Sequence, residues 1–183
     1  MRKVTAASGS ALFFALAPTT VAGLVPWWLT GWRMRAAADW YLAVRVAGAL
    51  VAVAGFAVLV AAFVRFVVEG AGTPAPVAPT EQLVVGGPYR YVRNPIYLAL
   101  LAAILGQAMV LAQPVLVVYA AVAGAALVGF VLGYEQPYLA GRYGEQYARY
   151  RAAVPGWWPR LRPWRPESSP GGCAAPSSGA VDR

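Results

Sequence analysis

The sequence predicts an all-α fold: a polytopic membrane protein with four transmembrane helices, the last two in a tight hairpin, then a C-terminal cytosolic amphipathic helix. Three observations carry that prediction. Hydrophobic residues make up 60% of the 183-residue chain and charged residues 12%, about half the charge fraction of a soluble domain. The charges leave three long gaps, residues 4–32, 46–64 and 95–134, on the scale of the ~20 residues a helix needs to cross hydrocarbon. The cations are also spread unequally between the two ends of those gaps. Together these exclude an ordinary soluble globule, a disordered chain and a disulfide scaffold.

The first span covers about residues 11–29. Arg2 and Lys3, the apolar stretch Ala11–Ala17 and the small residues Thr20-Val21-Ala22 imitate a cleavable signal peptide. Apolar sequence continues, however, through Leu24, Val25, Trp27, Trp28 and Leu29, so a retained helix is expected. Pro18 and Pro26 predict a kink in it, and Trp27, Trp28 and Trp32 suit an interfacial belt. The second span covers about 42–66, with Arg45 and Arg65 near its ends, where they can snorkel outward. The third covers about 95–111 and opens on Pro95, a favoured first-turn residue.

The fourth span covers about 115–132. Only Ala112-Gln113-Pro114 separates it from the third, which forces a tight antiparallel hairpin. Gly124, Ala125, Ala126 and Gly129 are expected to let helices approach closely. Residues 135–154 read as an amphipathic helix. Leu139, Tyr143, Tyr147, Tyr150 and Val154 form one face, and Arg142, Glu145 and Arg149 the other. Residues 1–165 thus form a single domain, and 166–183, rich in Pro, Ser, Gly and Ala, are expected to be a disordered tail.

Cation counting sets the expected orientation. Arg2 and Lys3 precede the first span, Arg65, Arg90 and Arg93 lie between spans two and three, and seven arginines follow span four. Arg33, Arg35 and Arg45 are left for the opposite side. Both termini and the long loop therefore belong in the cytosol of a bacterial-type cell membrane. The arginines flank apolar segments and do not form an aromatic-interleaved patch, so no nucleic-acid partner is expected. With no histidine and the lone Cys173, no metal site is expected.

Three features ask for more than membrane crossing. The stretch Gln82–Tyr97, QLVVGGPYRYVRNPIY, gathers Tyr89, Arg90, Tyr91 and Arg93 just before the third span. Glu135 is the first charge after Arg93, at the end of the long neutral stretch. As an acid at the C-terminal end of a helix it would oppose the dipole, at a cost of about 0.3–1 kcal/mol. Finally, the hairpin returns Asn94–Tyr97 and Glu135 to one membrane face, where they can line a common pocket.

The series GPYRYVRNPIYL, an uncharged hairpin, Glu135 and GEQYARYRAAVPGWWP resembles the isoprenylcysteine carboxyl methyltransferase and phospholipid methyltransferase superfamily over about Glu81–Pro159. In that family an R-H-P-x-Y segment opens a helical hairpin that ends in two glutamates, and a tail with paired tyrosines before V-P follows. Here the tail reads Tyr143-Gly144-Glu145-Gln146-Tyr147, then Tyr150, Val154 and Pro155.

The resemblance implies methyl transfer from S-adenosylmethionine, without a Rossmann domain, to a membrane lipid or lipophilic small molecule. It implies cofactor binding by Gln82, Leu83, Val84, Tyr89, Asn94, Pro95, Ile96, Tyr97 and Glu135. Tyr97 and Glu135 would act by positioning. Three departures qualify the match: Asn94 replaces the usual His, Gln136 the second Glu, and Val131 the arginine that members methylating a prenylcysteine carboxylate carry. The missing arginine at Val131 points away from a prenylcysteine and toward an amine, thiol, phenol or small-acid acceptor. Two other readings stay open. One is an NADPH-dependent, sterol-reductase-like membrane enzyme with Arg90 and Arg93 on a 2′-phosphate; the other is a non-catalytic cofactor-binding scaffold.

Overall fold

Apolar helix formers and a few well-placed prolines set every element of the computed structural model, which describes residues 16–70 and 83–165. Helix α1 covers 16–30, α2 Tyr41–Gly70, α3 Pro95–Leu111, α4 Pro114–Phe130 and α5 Gln136–Ala153. A short 3-10 turn, Gly87–Arg90, lies between α2 and α3, and no strand occurs among the described residues. The all-α class is as the sequence predicts. The start of the first span, Gln82 and the expected tail lie outside the described residues.

Two stretches are long and apolar enough to cross a membrane, Tyr41–Arg65 and the continuous run Pro114–Ala153, and only 22% and 17% of their most apolar windows are buried. Leu50, Val53 and Phe56 on α2 and Val118 and Val122 on α4 are exposed. A core helix of a soluble protein would cover such faces; these need a lipid solvent. The protein is therefore membrane-localised. The shorter apolar helix α3 packs between the two and buries Ala99, Leu100, Ile104, Ala108 and Leu111.

The closest helix contact is between α2 and α3. A Cβ on Gly106 would lie 2.7 Å from the Gly48 carbonyl oxygen and 2.7 Å from the Ala52 nitrogen, and one on Gly55 would lie 2.9 Å from the Ala99 carbonyl oxygen. The two backbones touch, which only glycine permits. This corrects the expectation that Gly124, Ala125, Ala126 and Gly129 mediate close packing. Gly124 meets only the Leu101 side chain at 3.5 Å, a Cβ on Gly129 would meet nothing within 4 Å, and Ala125 and Ala126 are exposed. The α3–α4 hairpin packs instead through Ile104, Ala108, Leu111, Leu116 and Ala120, which form one cluster. Its turn is as tight as predicted, with Ala112 in the left-handed region at φ 55° and Pro114 opening α4.

Prolines explain two π turns. In α1 the expected kink is a π turn, Thr20–Leu24, in which the Val25 N–H bonds the Thr20 carbonyl. That leaves the Val21 carbonyl without its usual partner, and Pro26 has no N–H for Ala22. Side chains from the hairpin take both: Tyr119 Oη donates to Val21 O at 2.9 Å and Gln107 Nε2 to Ala22 O at 2.7 Å. Backbone groups freed inside hydrocarbon must find such partners.

The second π turn, Val131–Glu135, precedes Pro137 and joins α4 directly to α5. Glu135 therefore does not stand at a helix C-terminus, and the dipole penalty expected there does not arise. Helix α5 begins at Gln136 and is interrupted at Gly144, whose φ of 48° and ψ of −124° leave the helical region. Its apolar face is the one the spacing predicts: Tyr147, Tyr150 and Val154 are buried, with Leu139 and Tyr143 against them.

These contacts predict unequal costs for the same substitution. Gly106→Val should destabilise the fold by roughly 1–3 kcal/mol through overpacking, whereas Gly129→Val should leave it nearly unchanged. Thermal unfolding of the two variants in one detergent checks the contrast.

Candidate functional site

The loop before α3 is extended, so its side chains alternate. Val84 points into a cluster with Ala62 and Tyr89, while Leu83 and Val85 pack on Tyr147, Tyr150 and Val154. At the Gly86-Gly87 turn, the Gly86 N–H donates to Glu69 Oε2 at 2.8 Å, and Arg65 braces the same carboxylate at 3.4 Å. A Cβ on Gly86 would run into that carboxylate, and Gly87 adopts φ 54°. The turn is thus tied to the end of α2.

Residues 154–165 return across this loop as a strap. Arg93 N–H donates to Pro155 O at 2.9 Å, Asn94 N–H to Gly156 O at 3.3 Å, Arg160 N–H to Tyr91 O at 3.0 Å and Trp164 N–H to Arg90 O at 2.9 Å. Side chains reinforce the pairing. Arg90 Nε donates to Trp164 O at 2.8 Å, Arg93 Nε to Val154 O at 2.9 Å, and the buried Tyr150 hydroxyl to Tyr89 O at 2.7 Å. Arg90 and Arg93 therefore clamp main-chain carbonyls, and nothing in their placement favours a role on a nucleotide phosphate.

The centre of the site lies where the hairpin opens. Tyr97, in the first turn of α3, donates its hydroxyl proton to Glu135 Oε2 at 2.8 Å. Antiparallel packing accounts for the meeting, because one residue starts the hairpin and the other lies just past its end. Trp157 of the strap stacks on Tyr97, with ring centroids 6.4 Å apart and planes 29° from parallel.

Asn94 occupies the N-cap of α3, yet its side chain makes no cap hydrogen bond. The residue is 6% exposed and its Nδ2 has no hydrogen-bond partner. A buried donor left unsatisfied costs about 1–3 kcal/mol, so this amide invites a ligand acceptor. Tyr89 completes the group. Burial raises its pKa well above the ordinary tyrosine value, and the nearby Tyr150, Glu135 and Tyr97 add to the shift, keeping the phenol neutral.

The structure thus brings together Tyr89, Asn94, Tyr97 and Glu135 of the residues singled out from the sequence. Leu83 and Val84 line the adjoining loop. Pro95 is fully buried at the first helical position, and Ile96 packs against two apolar clusters. Gln82 lies outside the described residues. Val131 is 1% and Gln136 8% exposed, so no cation stands one turn before the acid. Trp157 is the site residue sequence reasoning missed. In a GWW run beside arginines it reads as another interfacial aromatic, and only the strap's return shows its ring on Tyr97.

A family model for phospholipid methyltransferases matches residues 43–146, more than half the chain. The match spans α2, the loop, the hairpin and the first part of α5, and stops before the strap. No curated protein and no solved structure matches the chain.

If the strap is held as described, Tyr150→Phe should weaken the Tyr89 contact by about 1 kcal/mol. Hydrogen exchange should then show a roughly five-fold faster rate at the amides of Arg160 and Trp164, with α3 unaffected.

Proposed function

The chain belongs to the phospholipid methyltransferase family, and from that membership we propose that it transfers a methyl group from S-adenosylmethionine to a lipophilic acceptor at the cytosolic face. The observation that carries this reading is the Tyr97–Glu135 hydrogen bond beside the unpartnered Asn94 amide. Bound S-adenosylmethionine would supply an electrophilic methyl group on a cationic sulfur.

The residues present fit such a ligand. Glu135 offers a carboxylate to an ammonium or to ribose hydroxyls. The stacked faces of Tyr97 and Trp157 suit a sulfonium. Asn94 Nδ2 can donate to a carboxylate or a ring nitrogen. Leu83 and Val84 supply backbone for the adenine end. None of Tyr89, Asn94, Tyr97 and Glu135 is a strong base at neutral pH, so their contribution is to hold and align the reactants and to exclude water. The Arg90 and Arg93 clamps serve indirectly by fixing the strap that carries Trp157.

The cation asymmetry supports a cytosolic site with both termini on that side. With the buried Val131 in place of an arginine, a prenylcysteine carboxylate has no clamp there, which favours an amine, thiol, phenol or small acid over a prenylcysteine.

Isothermal titration of the detergent-purified protein with S-adenosylhomocysteine tests the reading. Wild type should bind, and Tyr97→Ala, which removes the aromatic face, and Glu135→Gln, which removes the charge, should each weaken binding by about ten-fold. Absence of wild-type binding at millimolar ligand would overturn the cofactor, and undiminished binding in both variants would overturn the site.

A further inference from the structure

The strap has a second side. Its main chain pairs with Arg90–Asn94, and Trp157 turns inward onto Tyr97. Trp158 and Leu161 turn outward, 82% and 99% exposed, the highest values of any large apolar side chains among the described residues. Arg162 and Arg165 are exposed beside them. Between positions 136 and 165 the chain carries six arginines and a single acid, Glu145.

An indole and a leucine presented outward from a main chain paired at Arg160 and Trp164 cost free energy in water. Placement supplies the solvent. The strap pairs with Arg93 and Asn94, the residues immediately before α3 enters its apolar run, so it lies level with the membrane boundary. At that depth an indole and a leucine can sit among glycerol and upper acyl groups while guanidiniums reach phosphates. The strongly one-sided charge selects the lipid class, because each arginine near an anionic surface adds attraction that a zwitterionic surface does not provide.

We propose that residues 155–165 form a docking surface for anionic phospholipid headgroups, with Trp158 and Leu161 inserted and Arg162 and Arg165 on the phosphates. The surface stands independently of the methyl-transfer reading, since none of its outward side chains belongs to the site.

Lipid-resolved quenching of tryptophan tests it. The full chain is placed in nanodiscs containing equal mole fractions of phosphatidylcholine and phosphatidylglycerol, with bromine on the acyl chains of one or the other. The Trp158 signal is taken as the difference between wild type and Trp158→Phe. Brominated phosphatidylglycerol should quench that signal at least about two-fold more than brominated phosphatidylcholine. The Arg162→Gln/Arg165→Gln variant should bring the two to equality; raising the salt should do the same in wild type should that variant fail to reconstitute. Equal quenching in wild type at low salt would overturn the selectivity for anionic headgroups. Quenching by neither lipid would overturn membrane docking altogether and leave the strap facing water or another protein.

Discussion

The backbone contact between α2 and α3 fixes where the rest of the molecule can go. With glycine at 48, 55 and 106, the two helices meet main chain to main chain. That brings the end of α2 beside the start of α3. Ala62 then packs under Val84 and Tyr89, and Glu69 accepts the Gly86 N–H. Residues 83–94 are thereby held at Val84, Gly86 and Tyr89, and they present Arg90, Arg93 and Asn94 as an edge on which the strap pairs. In lipid there is little hydrophobic force between helices, so close packing and satisfied polar groups have to carry this assembly.

The two π turns show how proline shapes a membrane helix. In α1 the freed carbonyls become attachment points for Tyr119 and Gln107, which bind the first helix to the hairpin. In the run from α4 to α5 the consequence is directional. One extra residue in a turn rotates the downstream helix by about 100° relative to an unbroken α-helix. Glu135 is the last residue of that wide turn, and it faces Tyr97 across 2.8 Å. The acid is therefore aimed by the irregularity that Pro137 accompanies, in the middle of a continuous helix.

The candidate site is assembled from three levels of constraint. Hairpin connectivity brings Tyr97 and Glu135 to one end. The edge pairing of loop and strap adds Trp157 above Tyr97. Burial then leaves Asn94 with a donor that no protein group uses. The hairpin and the acid lie within the stretch the family model matches, residues 43–146, and Trp157 follows it in the strap.

Much of this was legible in the residues. Charge-free stretches define the helices, Ala112-Gln113-Pro114 requires the hairpin, and the tyrosine spacing in α5 gives its buried face, because each depends on local chemistry and chain length. The expectation for Gly124 to Gly129 failed because composition cannot say which side of a helix meets a neighbour and which meets lipid; Gly48, Gly55 and Gly106 hold that role only through the crossing geometry of α2 and α3. The reading of Glu135 as a helix end failed because the first charge after a neutral run marks where the apolar stretch stops, and whether the helix stops there too or continues through a widened turn depends on its surroundings. Residue pattern and connection length were enough for the class, the order of helices and the meeting of Tyr97 with Glu135. Packing had to choose which glycines touch, put Trp157 over Tyr97 and leave Asn94 unpartnered. Those outcomes depend on contacts between segments distant in the chain, which no local pattern encodes.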